Sequence, residues 1–275
     1  AKALQAWPMV EYVHIDTLKP PPPIDFPPLT PDFTSEQTWQ GAGNGLNITP
    51  FWDAQIKGQT IVVADIEYGV DAGHEDLVDQ DIVFEANQTI SSWVYDYGYQ
   101  EHGTSVLGMT SAVENGYGVT GVLPYASVQF YPEWSDEEES RRASAIVSAA
   151  ASLSPGDILM LEMQDYGDPG CGWELNCFVP AEINPDVWTA TRAAVDAGIV
   201  VVAAAGNGDQ DLDGQWYQDN YLVRGDSGAI IVGGGTLDHD YYGLNYGSRI
   251  DLQGWAEGIF TLGYATLAEL DQPIG

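Results

Sequence analysis

Three well-separated residues in this chain have side chains that can give up, take or hold a proton at a sheet edge: Asp65, His102 and Asn207. Asp65 closes the apolar run Ile61-Val62-Val63-Ala64, at the carboxyl end of a strand, where open parallel sheets place functional groups. An aspartate there also serves as an ordinary turn former. His102 leads the stretch His102-Gly103-Thr104-Ser105-Val106-Leu107-Gly108-Met109, whose small residues let a helix pack closely against its surroundings. Asn207 follows Val202-Ala203-Ala204-Ala205-Gly206, so its amide projects at the same edge, although Asn-Gly taken alone is a turn signal.

The elements that must position these groups follow from the apolar pattern. Strands are expected over residues 60–66, 127–132, 157–164, 199–205, 229–236 and 249–255, alternating with helical stretches, which is the signature of parallel β-α-β units. Ser135 followed by Glu138 reads as a capping box opening a helix through Ala151. Asn184 as cap and Pro185 at the first position open another, ending near Gly198. The continuous apolar run from Ile199 to Ala204 implies burial on both strand faces. The expected fold class is therefore α/β, a doubly covered, mostly parallel sheet with helices on both faces.

Asp, then His, then a strand ending in A-A-G-N is the chain order of the subtilisin arrangement. From about Pro31 onward the sequence resembles the subtilisin-like serine protease family, through Val63-Ala64-Asp65-Ile66-Glu67-Tyr68-Gly69-Val70, His102-Gly103-Thr104 and Ala204-Ala205-Gly206-Asn207. Asp226-Ser227-Gly228-Ala229 and the stretch from Tyr246 to Trp255 also look like bacterial members. The resemblance implies that Asp65 orients His102, that His102 shuttles the proton, and that Asn207 donates to the oxyanion. It further implies that Leu161, Glu162, Met163 and Gln164 pair with extended substrate backbone, and that Ala205 and Gly206 line the primary specificity pocket. No cofactor is expected for catalysis. The family's D-[ST]-G after the acid is replaced here by Asp65-Ile66-Glu67-Tyr68-Gly69.

The larger departure is the nucleophile, because nothing from Asn207 to Gly275 matches the family's G-T-S-x-A. Ser105 imitates part of the motif but sits one helical turn from His102 without the following x-A. Ser227, in Gly225-Asp226-Ser227-Gly228, mimics the nucleophile motif of trypsin-like serine proteases and reads better as a turn residue. A core of this kind without its serine helix would leave one sheet face bare. The expected partners are thus a peptide or protein substrate, a second chain or downstream segment carrying G-T-S-x-A, and the protein's own propeptide. The alternative is a pseudoprotease that binds extended peptides without cutting them.

Two parts are expected: residues 1–30, a propeptide-like tail and proline-rich linker, and residues 31–275, the peptidase-like domain. The tail alternates as a strand over Val10–Asp16 and then runs through Pro20-Pro21-Pro22-Pro23, Pro27, Pro28 and Pro31. It reads either as a retained inhibitory segment or as a plain leader. Asp209, Asp211 and Asp213, followed by Gly214, repeat the start of an oxygen-ligand calcium loop, but its twelfth position is Asn220 rather than Glu. The competing reading is a solvated acidic loop. Cys171 and Cys177, the only cysteines, favour a local disulfide, an oxidising compartment and a secreted protein. No apolar run reaches the length of a membrane span, and any export signal is expected to precede Ala1. With 41 acidic residues against 8 Lys plus Arg and a net charge of −33, nucleic acid phosphates and anionic membranes are repelled.

Overall fold

The computed structural model describes residues 30–171 and 177–263. The expected strand over Val10–Asp16 and the proline run, except Pro31, lie outside the described residues. Seven strands form one parallel sheet: β1 (Val62–Glu67), β2 (Val83–Phe84), β3 (Ser127–Pro132), β6 (Ile158–Leu161), β9 (Val200–Ala204), β10 (Ile230–Gly235) and β11 (Leu252–Trp255). Their order is β11-β10-β9-β6-β1-β3-β2, so β6 is central and β1 lies beside it, between β6 and β3. The apolar runs expected as strands all form, each trimmed by a residue or more at one or both ends except β3, which matches as read. Two short antiparallel ribbons flank the sheet, β4 (Trp134–Ser135) with β5 (Glu139–Ser140), and β7 (Gln164–Tyr166) with β8 (Phe178–Pro180).

Three helices of eleven or more residues are described: α1 (Gln100–Thr110), α2 (Arg142–Ser152) and α3 (Pro185–Asp196). The α3 start is as the sequence dictates, since the Asn184 side chain accepts from the Asp186 N–H at 2.9 Å and Pro185 occupies the first turn. The expected helix from Ser135 does not start there. Ser135 Oγ does accept from the Glu138 N–H at 3.1 Å, but this bond closes the β4–β5 turn, where Glu139 adopts a left-handed φ of 61°. A residue in that conformation cannot continue a right-handed helix, so α2 begins only at Arg142.

Strand alternation sorts the core into two layers. Ala64, Ile66, Leu159, Leu161, Val201, Ala203 and Ile231 pack with Ala145, Ile146 and Ala149 of α2 and with Val187, Ala190 and Ala194 of α3. On the other face Val63, Val128, Phe130 and Met160 pack under Val106 and Leu107 of α1. Helices thus lie on both faces, yet the second cover is partial among the described residues. Val200, Val202, Ile230 and Val232 on that face are only half-buried or exposed and join no core cluster. The expected burial of the Ile199–Ala204 run on both sides is therefore met on one side only, because no described helix lies over β9 and β10 there.

Candidate active site

The carboxyl ends of the central strands open into a cleft of about 1010 Å³. His102, in the first turn of α1, lines it with its side chain half-exposed, and so does Asn207, beyond the end of β9. The acid that meets His102 is Glu67. Its Oε2 accepts from His102 Nδ1, while its Oε1 accepts from the Tyr68 N–H at 2.6 Å. Glu67 is fully buried, so both of its oxygens are held from inside the protein. The ring's Nε2 is left toward the cleft.

Asp65 does not take the position expected of it. It lies two residues earlier on β1, hence on the same strand face but one pleat, about 6–7 Å, deeper. The register sets it between Phe130 of β3 and Met160 of β6. Both of its oxygens are buried without a hydrogen-bond partner. That apolar burial, with the negative charges of Glu67 and Glu162 added, drives its pKa well above the ordinary carboxylate value.

A glycine pair explains why the acid falls at 67. A Cβ on Gly103 would collide with the Gly69 carbonyl and come within 2.6 Å of Glu67 Cγ. The His-Gly step is thus what lets α1 approach the end of β1 closely enough for the imidazole to reach Glu67. The signal was present in the sequence, since counting back from Gly69 rather than forward from the apolar run puts the acid of an acid-x-Gly turn at Glu67.

The charge around His102 is dense and mostly negative. Burial alone would lower its pKa, but the Glu67 hydrogen bond and charge, joined by Glu162 and Glu133, push it up to about 9. Glu133 is itself pushed up to about 7, by burial against the opposing pull of Arg142. Arg142 at the head of α2 holds Glu133 through Nε and reaches Asp165 at 3.2 Å. Glu162 is pushed up to about 6 by burial and by Glu67, with His102 pulling the other way.

Of the expected substrate residues, Glu162, Met163, Gln164 and Gly206 line the cleft. Leu161 and Ala205 do not. Alternation turns both into the core layer under α2 and α3, where each is 2% exposed. Gln164 Oε1 accepts the Asn207 N–H at 3.0 Å, linking the two cleft edges. Gly206 holds a φ of 82°, and a Cβ there would come within 2.8 Å of the Val179 backbone, so the turn presenting Asn207 requires glycine. Sequence reading missed the aromatic wall beside His102, formed by Tyr68, Tyr99 and Trp134. Tyr68 and Tyr99 pack with ring centroids 5.4 Å apart.

Neither Ser105 nor Ser227 lines the cleft. Ser227 is fully buried, donates to Glu182 Oε2 and accepts from Arg249 at 3.2 Å. Ser105 lies on the same helix as His102, one turn on, and its carbonyl accepts from Thr261 Oγ1 at 2.7 Å. The acidic loop does not gather its carboxylates. Asp209 accepts from Tyr241, Asp211 caps the Asp213 N–H at 3.0 Å, and Asp213 holds the Ser248 N–H at 2.9 Å. Among the described residues no group of three or more potential metal ligands forms. Cys171 and Cys177 are joined in a disulfide, their Cα atoms 6.3 Å apart. No described helix is long and apolar enough to cross a membrane.

The order of the site along the chain, its cleft and its parallel sheet agree with an independent comparison: the model of the subtilase family matches residues 58–253. The chain belongs to the subtilase family. Among curated subtilases it is similar to the major intracellular serine protease of Bacillus subtilis, 29% identical over 164 residues, or 58% of this chain and 47% of that one. It is 32% identical to subtilisin DY of Bacillus licheniformis over 155 residues, 55% of this chain and 48% of the relative. The chain thus spans about half the length of these relatives. Among solved structures, a protease from Pseudoalteromonas arctica superposes with a TM-score of 0.58 at 22% identity, over 83% of this chain and 72% of that one. The nisin leader peptidase of Lactococcus lactis gives 0.55 at 20%, over 82% and 69%. At these identities the superpositions speak for the fold alone.

Proposed function

We propose that this subtilase chain carries the acid, base and oxyanion donor of a secreted serine endopeptidase whose nucleophile comes from a G-T-S-x-A segment outside these 275 residues. The observation that carries the reading is the hydrogen bond from His102 to buried Glu67, at the edge of a cleft that Asn207 also lines. In that reading Glu67 fixes the ring tautomer and stabilises the imidazolium. His102 takes the serine proton through Nε2, then gives it to the leaving amine, and Asn207 donates to the tetrahedral oxyanion. An extended substrate pairs along Glu162–Gln164, with Gly206 and the aromatic wall on either side.

The half-exposed face over β9 and β10 supports the completing segment. Val202 continues the row of Phe130, Asp65 and Met160 across the sheet, and Ile230 extends it. The half-buried apolar side chains of Val202 and Ile230, beside the cleft, suit an apolar helix laid across them. The disulfide suits an oxidising compartment.

The reading is tested by intact-mass measurement of everything that copurifies with the chain, combined with labelling by an active-site-directed fluorophosphonate. A labelled polypeptide carrying G-T-S-x-A, with labelling lost in His102→Ala, is the expected result. Peptide binding without any labelling would replace the protease reading with that of a pseudoprotease.

A further inference from the structure

The cleft holds a second glutamate whose place in the fold is tied to the first. The β1–β6 register pairs Asp65 with Met160 and Ile66 with Leu161. The Glu162 N–H then donates to the Ile66 carbonyl at 3.3 Å. The next step along both chains sets Glu162 beside Glu67, on the same face of neighbouring parallel strands. Glu162 and His102 line the same cleft.

The other charged groups near the ring are held by other partners or, in the case of Asp65, lie deeper in the core. Glu133 and Asp165 share Arg142. Arg141, the other arginine of the cleft, is held by Glu85. Asp65 lies one pleat deeper without a partner. Tyr68, at the exit of β1, gives its N–H to Glu67, and Glu101, on His102's own helix, accepts from Gln100 Nε2 at 3.2 Å. Among the described residues, this leaves His102 as the cation available to Glu162.

We propose that Glu162 is a second acidic partner of His102, a positioning residue that acts with Glu67 across two adjacent strands to hold the imidazole in its protonated form. Its meaning for turnover rests on His102 being the base of the proposed protease, but its test does not. When Glu162 is ionised, two carboxylates face one ring and the imidazolium is stabilised from two sides. When Glu162 is neutral, Glu67 faces the ring alone. The transition falls where Glu162 itself titrates, near 6, so the imidazolium is held most firmly from just above that pH up to about 9, where the ring gives up its proton.

The experiment is an NMR titration of the imidazole resonances in the full chain. Only four histidines are present, and the His102 signals are assigned by their loss in His102→Ala. In the parent chain the midpoint of His102 is expected well above the ordinary value of about 6.5. Glu162→Gln is expected to lower it by on the order of one unit, whereas Glu162→Asp, which keeps the charge, retains most of the elevation. An unchanged midpoint in Glu162→Gln overturns the proposal. So does an equal fall in both variants, which would trace the effect to packing rather than charge. Neither result depends on hydrolysis, so the proposal and the protease reading stand or fall separately.

Discussion

His102 donates through Nδ1 to Glu67, not to Asp65, although the two acids share one strand and one strand face. A single pleat separates a carboxylate that reaches the imidazole from one buried between Phe130 and Met160. The consequences differ for rate, for pH dependence and for stability.

Hydrolysis is expected to need alkaline conditions. A general base must be neutral to accept a proton, and the acids around His102 push its pKa up to about 9. The imidazolium therefore persists through neutral pH, and kcat/KM should climb as pH rises to about 9. A profile of kcat/KM against pH checks this, and an acid limb near the ordinary histidine value of about 6.5 would count against the charge balance described.

Asp65→Asn should stabilise the fold at pH 8. The folded-state pKa of Asp65 is raised, so the native protein binds this proton more tightly than the unfolded chain does. That contribution is present at acid pH and is lost as pH rises from about 4 through the folded value. Replacing the acid by its neutral isostere removes the penalty of ionising it in an apolar layer. Melting curves should show Tm rising by about 2–4 °C for each kcal/mol recovered, with the gain shrinking toward pH 4.

Ser227→Ala should leave fluorophosphonate labelling intact while lowering stability by about 1–3 kcal/mol. The hydroxyl donates to Glu182 and accepts from Arg249, both buried, so its loss leaves polar atoms unsatisfied. Denaturant unfolding measures the cost, and loss of labelling would revive Ser227 as a nucleophile.

Asn207→Ala should reduce kcat by ~10²–10³ with little change in KM, the cost known for removing one such oxyanion donor from a subtilisin. A fall in KM-dependent binding alone would assign Asn207 to substrate contact instead.

How much of this was legible in the sequence varies with the physics behind each element. The strands were legible because continuous apolar runs have few other uses, and α3 because Asn184-Pro185 specifies a helix start by local chemistry. Ser135 reads as a helix cap because one side chain to N–H bond serves a cap and a tight turn alike, and only the backbone at Glu139 separates them. Leu161 and Ala205 are expected at the cleft because a motif names a segment, whereas alternation decides which of its residues face the ligand. Which acid meets His102 turns on a related point. Asp65 and Glu67 satisfy the same alternation, and the choice between them depends on the close approach of Gly103 to the end of β1. Tyr68, Tyr99 and Trp134 meet only in three dimensions and left no local pattern to find.

The pairing of His102 with Glu67 rather than Asp65 is decided by the rate of fluorophosphonate labelling in Glu67→Gln and Asp65→Asn, measured side by side with the parent protein. Losing the acid that orients the base of a serine protease costs on the order of 10⁴ in rate. Labelling in Glu67→Gln is therefore predicted to slow by ~10³–10⁴, with Asp65→Asn remaining within a few-fold of the parent. No labelling of the parent, or a loss in Asp65→Asn as deep as that in Glu67→Gln, would contradict it.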